Sequence, residues 1–205
     1  MKVGIMGGTF NPIHNGHLSL AGAALAQYNL DEVWFMPSGL PAHKANDELL
    51  AADIRLHMVK LAIGIHDKFK ASSFEIDREG FTYTADTVTA LASEYPEDEF
   101  YFIIGGDSLM KFHKWVKPEV ISAYTTLLAA GRNGYTKEEL DTQAQNLMTN
   151  FGTKVFFIEM PEMVISSNAI RSFCKVQQYD AIQTMVPETV FRYIMEQELW
   201  KCPRN

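Results

Sequence analysis

The chain has 205 residues, 47% hydrophobic and 21% charged, which suits one large domain with a real core and excludes a disordered tail, a collagen or a disulfide miniprotein. Its formal charge is −7 with no block of basic residues, which argues against general binding to nucleic acid or to a membrane surface. Cys174 and Cys202 have no metal-site spacing, the apolar stretch at the start is too short for a signal peptide, and no run approaches the roughly 20 apolar residues of a membrane helix, so a soluble, cytoplasmic protein with reduced thiols is expected.

Residues 2–6 are a compact apolar run ending at Gly7-Gly8, which reads as a buried strand. Asn15 reads as the N-cap of a helix whose Leu18, Ala21, Leu25 and Tyr28 share one face. Residues 33–36 form a second strand stopped by Pro37, and a loop with Gly39, Pro41 and Lys44 follows. A helix from about Ala52 to Gly64 is expected to pack through Ile54, Met58, Leu61 and Ile65. A third strand is predicted near Lys70–Ile76, a helix over Thr84–Glu94, and a strongly apolar fourth strand over Glu99–Ile104, ended by Gly105-Gly106. Further strands are read at Thr125–Ala130 and Val155–Ile158, and the end is helical, with Pro187 at a first helical position.

Such alternation implies an α/β fold, a doubly wound, Rossmann-like parallel sheet of order 3-2-1-4-5 plus an additional strand. One domain over 1–205 is expected, with about 165–205 forming a small helical C-terminal subdomain, either a homodimer surface or a cap on the sheet.

Open parallel sheets bind ligands beyond the carboxyl ends of their strands, where the strand order reverses. In the predicted order the first and fourth strands are neighbours, so Gly7-Gly8 and Gly105-Gly106 would border one crevice. Either pair alone is read more readily as a tight turn, but two pairs at corresponding strand ends favour a ligand site, in which Asp107 can accept from ribose hydroxyls. The first loop has neither the dinucleotide nor the P-loop glycine pattern. It carries His14 and His17 instead, three apart at a strand–helix junction, where both rings can face one spot supplied with free N–H groups and the positive end of the helix dipole. That spot suits an anion, and a local donor cluster can outweigh surface charge lying beyond a Debye length of about 10 Å. A metal pair is the competing reading, with no carboxylate or cysteine nearby in sequence to complete a shell.

The run Gly8-Thr9-Phe10-Asn11-Pro12-Ile13-His14-Asn15-Gly16-His17 resembles the T/H-x-G-H signature of the nucleotidyltransferase superfamily, and most closely its nicotinate-mononucleotide adenylyltransferase branch. Further matching segments are 36–44, 81–87, 103–108 with Trp115, Arg132, 165–171 and Val186-Pro187, so the resemblance covers nearly the whole chain. Asn11 stands where aspartate is frequent and Asn168 where threonine is usual.

The resemblance implies that the phosphate of nicotinate mononucleotide attacks the α-phosphorus of ATP in line, without a covalent enzyme intermediate, to give nicotinic acid adenine dinucleotide and pyrophosphate. It implies catalytic roles for His14, His17, Lys44 and Arg171, and ATP contacts from Gly7, Gly8, Thr9, Phe10, Gly105, Asp107, Arg132, Ser166 and Ser167. Magnesium would arrive with ATP, and no residue is assigned to a protein metal cage. For the mononucleotide, Thr84 is read as the N-cap of a helix beginning near Ala85, whose free N–H groups suit a carboxylate, and Trp115 as a stacking face for the pyridinium ring. Phosphopantetheine and cytidylyl transfer rank below this reading, as does a nucleotide-binding regulator without turnover. Thr84 as a plain cap and Trp115 as plain packing remain the bland alternatives.

Overall fold

An inner strand of the sheet, β1 (Lys2–Gly8), buries four consecutive residues, Val3 to Met6. Consecutive burial is expected of a parallel strand covered on both faces. The computed structural model describes residues 1–41, 48–131, 134–161 and 163–201. Within them β2 (Glu32–Pro37), β3 (Phe69–Ala71), β4 (Glu99–Ile104), β5 (Thr125–Ala130) and β6 (Val155–Ile158) complete a six-stranded sheet of order 3-2-1-4-5-6. All its pairings are parallel; β1 meets β2 with Val3 opposite Glu32 and β4 with Val3 opposite Phe100. The expected doubly wound sheet is therefore present, with its order reversing between β1 and β4.

Alternate strand residues feed opposite faces. Val33 and Phe35 join α1 (Asn15–Gln27) and α2 (Ala52–Ile63) in one apolar cluster. Phe100, Phe102, Leu127 and Ala129 join α3 (Thr84–Glu94), α4 (Gly106–Lys111), α5 (Pro118–Tyr124) and α6 (Lys137–Phe151) in the other. The last helices, α7 (Ser167–Lys175), α8 (Tyr179–Gln183) and α9 (Glu188–Glu196), bury Ile170, Cys174, Ile182, Val190 and Ile194 in the first cluster. They cap that face of the sheet. Among the described residues no helix is long and apolar enough to cross a membrane.

Several boundaries differ from the sequence reading. β1 runs on through its glycine pair, with Gly7 opposite Met36 and Gly8 opposite Pro37, so these glycines lie within the strand. β3 stops at Ala71, because Ser73 accepts the N–H groups of Ile76 and Asp77 and turns the chain. Phe81–Thr82 then pairs in parallel with Leu40–Pro41 as a separate short ladder. α2 ends at Ile63, leaving Ile65 88% exposed rather than packed. His14, not Asn15, is the N-cap of α1, and Pro187 is the N-cap of α9 rather than its first residue.

Candidate active site

Because β1 and β4 are neighbours, their glycine-marked ends open onto one cavity of about 660 Å³. Gly7, Gly8, Thr9, Phe10, His14, His17, Gly105, Asp107, Ser166, Ser167 and Arg171 all line it. A second cavity of about 310 Å³ shares the wall formed by Gly7, Gly8, Thr9 and Trp115 and adds Thr84, Ser38 and Glu75. The residues read from distant parts of the chain thus meet at the strand-order reversal. Lys44 and Arg132 lie outside the described residues.

The histidines occupy the N-cap and third positions of α1, so one turn of helix places the imidazoles side by side. Their rings stack at 3.7 Å between centroids, and His17 Nδ1 accepts the His14 backbone N–H at 3.2 Å. Burial pulls the His14 pKa down to about 4, so its ring is neutral in the unliganded protein near neutrality. A Cβ on Gly16 would come within 3.1 Å of His14 Nδ1. The glycine between the histidines therefore leaves room for the first ring, a reason beyond the ligand access expected of it.

Arg171, on the first turns of α7, is held at three points. Its Nε donates to Glu48 Oε2 at 2.9 Å, Nη1 to the Asn11 carbonyl at 2.9 Å, and Nη2 to Asn168 Oδ1 at 3.1 Å. A guanidinium has five N–H donors, so one on each terminal nitrogen is left for an anion. Asn168, where threonine is usual, supplies one of those three acceptors. The Glu48 carboxyl, gripped by Lys175 and then by Arg171, is held below its usual range. The serine hydroxyls are otherwise engaged: Ser166 Oγ accepts from the Ala169 N–H, and Ser167 Oγ donates to the Pro12 carbonyl. What this end of α7 offers a phosphate is its main-chain N–H groups more than its hydroxyls.

The loop after β1 is held carbonyl by carbonyl. Gly8 O accepts from Ser38 N, Thr9 O from Arg55 Nη1, Asn11 O from Arg171 and Pro12 O from Ser167. Within it Phe10 adopts a left-handed φ of 49°, an uncommon state for a bulky residue and one that collects at functional sites. Its buried ring meets His17 edge-on at 5.1 Å. The Asn11 amide donates to the Glu48 carbonyl at 2.9 Å and accepts from Leu50 N at 3.2 Å. An ionised aspartate has no N–H to make the first of these bonds.

In the second cavity the helix start differs by one residue: Thr84 is the first residue of α3, and Tyr83 stands at the N-cap without a side-chain capping bond. The cap reading of Thr84 is thereby corrected, while Tyr83 and Thr84, at the N-terminal end of α3, both line the second cavity. Half-buried Trp115 packs against Phe112 and Phe102 at 5.3 and 6.0 Å between ring centroids. Asp107 accepts from the Tyr135 hydroxyl at 3.0 Å through one oxygen. Glu75 is buried, its carboxyl pushed up by desolvation and partly offset by a bond from Thr87 Oγ1.

Sequence reasoning missed Glu48, Arg55, Ser38 and Glu75. Only Arg55 carried a readable signal: it shares the i, i+3, i+4 face of α2 with buried Met58 and Val59. A charge on an apolar face is the mark of a buried role.

Residues 5–173 match the family described as cytidylyltransferase-like. A relative in Lachnoclostridium phytofermentans, named "Probable nicotinate-nucleotide adenylyltransferase", is 43% identical, the match covering 95% of this chain and 96% of that one. The nicotinate-nucleotide adenylyltransferase of Bacillus subtilis is 36% identical, with 98% of each chain covered. Among solved structures, Plasmodium falciparum nicotinic acid mononucleotide adenylyltransferase complexed with NaAD has the same fold, with a TM-score of 0.78 and 97% of each chain covered at 20% identity. By matches of this length and identity, the chain belongs to the cytidylyltransferase-like nucleotidyltransferases and, within them, to the nicotinate-nucleotide adenylyltransferase family.

Proposed function

We propose that the protein transfers AMP from ATP to nicotinate mononucleotide, giving nicotinic acid adenine dinucleotide and pyrophosphate in cytoplasmic NAD biosynthesis. The observation that carries the reading is the meeting of His14, His17 and Arg171 at one cavity, although Arg171 lies more than 150 residues along the chain from the histidines. A mononucleotide phosphate oxygen forms the new bond to the α-phosphorus of ATP, and the bond from that phosphorus to its bridging oxygen breaks. Pyrophosphate leaves directly, so the protein supplies placement and charge rather than a nucleophile.

In this reading the triphosphate lies across the start of α1, with His17 nearest the reacting phosphorus. The departing phosphates lie against the N-terminus of α7 and the two remaining Arg171 donors. A neutral His14 donates one hydrogen bond, and the approaching polyphosphate raises its affinity for a proton. ATP enters as its magnesium complex. Asp107 is the one carboxylate on the first cavity among the described residues, so phosphate oxygens and water would complete the ion's shell.

The second cavity takes the mononucleotide, with the N–H groups at the start of α3 receiving the ring carboxylate and Trp115 facing the pyridinium ring. Pyrophosphate release from ATP, measured with nicotinate mononucleotide, nicotinamide mononucleotide and phosphopantetheine in turn, tests the assignment. Release should depend on the acceptor and be most efficient with the nicotinate compound. Equal efficiency with the nicotinamide compound removes the acid preference, and release independent of any acceptor removes the transferase reading.

A further inference from the structure

Arg55 is 1% exposed, and among the described residues its side-chain hydrogen bonds go to main-chain carbonyls alone. Nε donates to Leu50 at 3.0 Å, Nη1 to Thr9 at 2.8 Å, and Nη2 to Ser38 at 2.7 Å and Gly39 at 3.0 Å. Enclosing a cation with no bonded carboxylate is costly, and an apolar side chain on this face of α2 would avoid the cost. What the guanidinium achieves there is geometric. Thr9 belongs to the wall common to both cavities, whereas Ser38 lines only the second. One planar fork therefore joins the loop after β1, on the wall common to both cavities, to the loop after β2, which the bond from the Ser38 N–H to the Gly8 carbonyl also ties to that wall. Nearby contacts leave little slack: a Cβ on Gly39 would meet the Glu75 carbonyl at 2.5 Å, and Phe10, next to Thr9, is held at a left-handed φ of 49°.

We propose that Arg55 is a positioning residue for the transfer reaction: it fixes the loop after β1 against the loop after β2 and thereby sets the separation of the two bound reactants. The proposal rests on the adenylyl-transfer reading above. Where the protein provides no covalent step, mutual placement of the reactants is a large part of catalysis. An error in that placement is a loss that the affinity for either reactant alone does not reveal. A ligand spanning both cavities does reveal it, because its two halves must fit at once.

The test compares wild type with Arg55→Lys, which keeps a positive charge but replaces the rigid fork with a single flexible head. Dissociation constants are measured for ATP, for nicotinate mononucleotide and for nicotinic acid adenine dinucleotide, together with kcat. The two separate ligands should bind within about twofold of wild type, while dinucleotide binding weakens by about tenfold and kcat falls by roughly ten- to a hundredfold. Near-UV circular dichroism establishes folding. If the lysine variant does not fold, Arg55→Gln, which removes the buried charge along with the fork, is judged by the same ratio of affinities. Equal weakening of all three ligands, as a merely structural role would give, overturns the proposal, as does dinucleotide binding unchanged from wild type. A wild-type protein that binds no dinucleotide overturns the transferase reading itself, and the proposal with it.

Discussion

The imidazole of His14 lies almost parallel to that of His17, at 26° between ring planes, and the two are also linked by the bond from the His14 main chain to His17 Nδ1. Two stacked rings at a helix N-terminus cannot both carry charge cheaply without an anion, since the dipole and each other's charge oppose protonation. The burial of His14 makes this measurable. With a folded pKa of about 4 against an ordinary 6.5, the unfolded chain binds the extra proton first as pH falls. The resulting stability is complete above about pH 6.5 and is lost progressively toward pH 4, by up to roughly 3 kcal/mol. Urea unfolding followed across this window should show the decline, and His14→Gln should flatten it. Pyrophosphate added to the wild type should also reduce it.

His17→Ala should lower kcat by about a hundredfold or more, the size expected when a donor to developing charge is removed, with a smaller effect on ATP binding. Steady-state kinetics with both substrates varied separates the two effects. A change confined to the Michaelis constant would assign His17 to ground-state binding.

Gly16→Ala separates stability from activity at one atom. Alanine favours a helix over glycine by about 1 kcal/mol, but here its Cβ presses on the His14 ring. The expected outcome is a melting temperature within a few degrees of wild type and kcat reduced by about tenfold as the ring pair shifts.

Trp115→Ala should raise the Michaelis constant for the mononucleotide by about tenfold. Because the indole borders both cavities, a smaller rise for ATP, up to about threefold, is expected as well. Its contacts with Phe102 and Phe112 make unfolding the competing outcome, and a thermal melt distinguishes them.

The sheet could be read from the sequence because each central strand is a short apolar run closed by glycine or proline, and the crevice followed from the strand order. α6 was missed although Thr136 and Glu139 form a reciprocal capping box and Gly152 ends the helix at φ 69°. Its polar outer face hid that signal. The expected inner face of α2 holds for Met58, which is buried, and for Ile54 and Leu61, which pack partly buried against the core, but the reading overlooks Arg55, Val59 and Ala62, which are buried beside Met58. His14, His17 and Arg171 were legible because their motifs are local. Glu48 and Glu75 were not, because nothing in their neighbourhood along the chain foretells partners such as Lys175 and Thr87.

The histidine turn and the loop before it are tethered on one side by Ser38, Leu50 and Arg55 and on the other by residues of the α7–α9 segment. Asn15 bonds through its main chain to Met185 and through its side chain to Thr184, Pro12 is held by Ser167, Asn11 by Arg171, and the Glu48 carbonyl by Trp200 Nε1. Without the α7–α9 ties the signature motif would keep only the braces from Ser38, Leu50 and Arg55. The histidine turn thus leans on two distant parts of the chain, so a lesion in the α7–α9 segment reaches it without touching its motif.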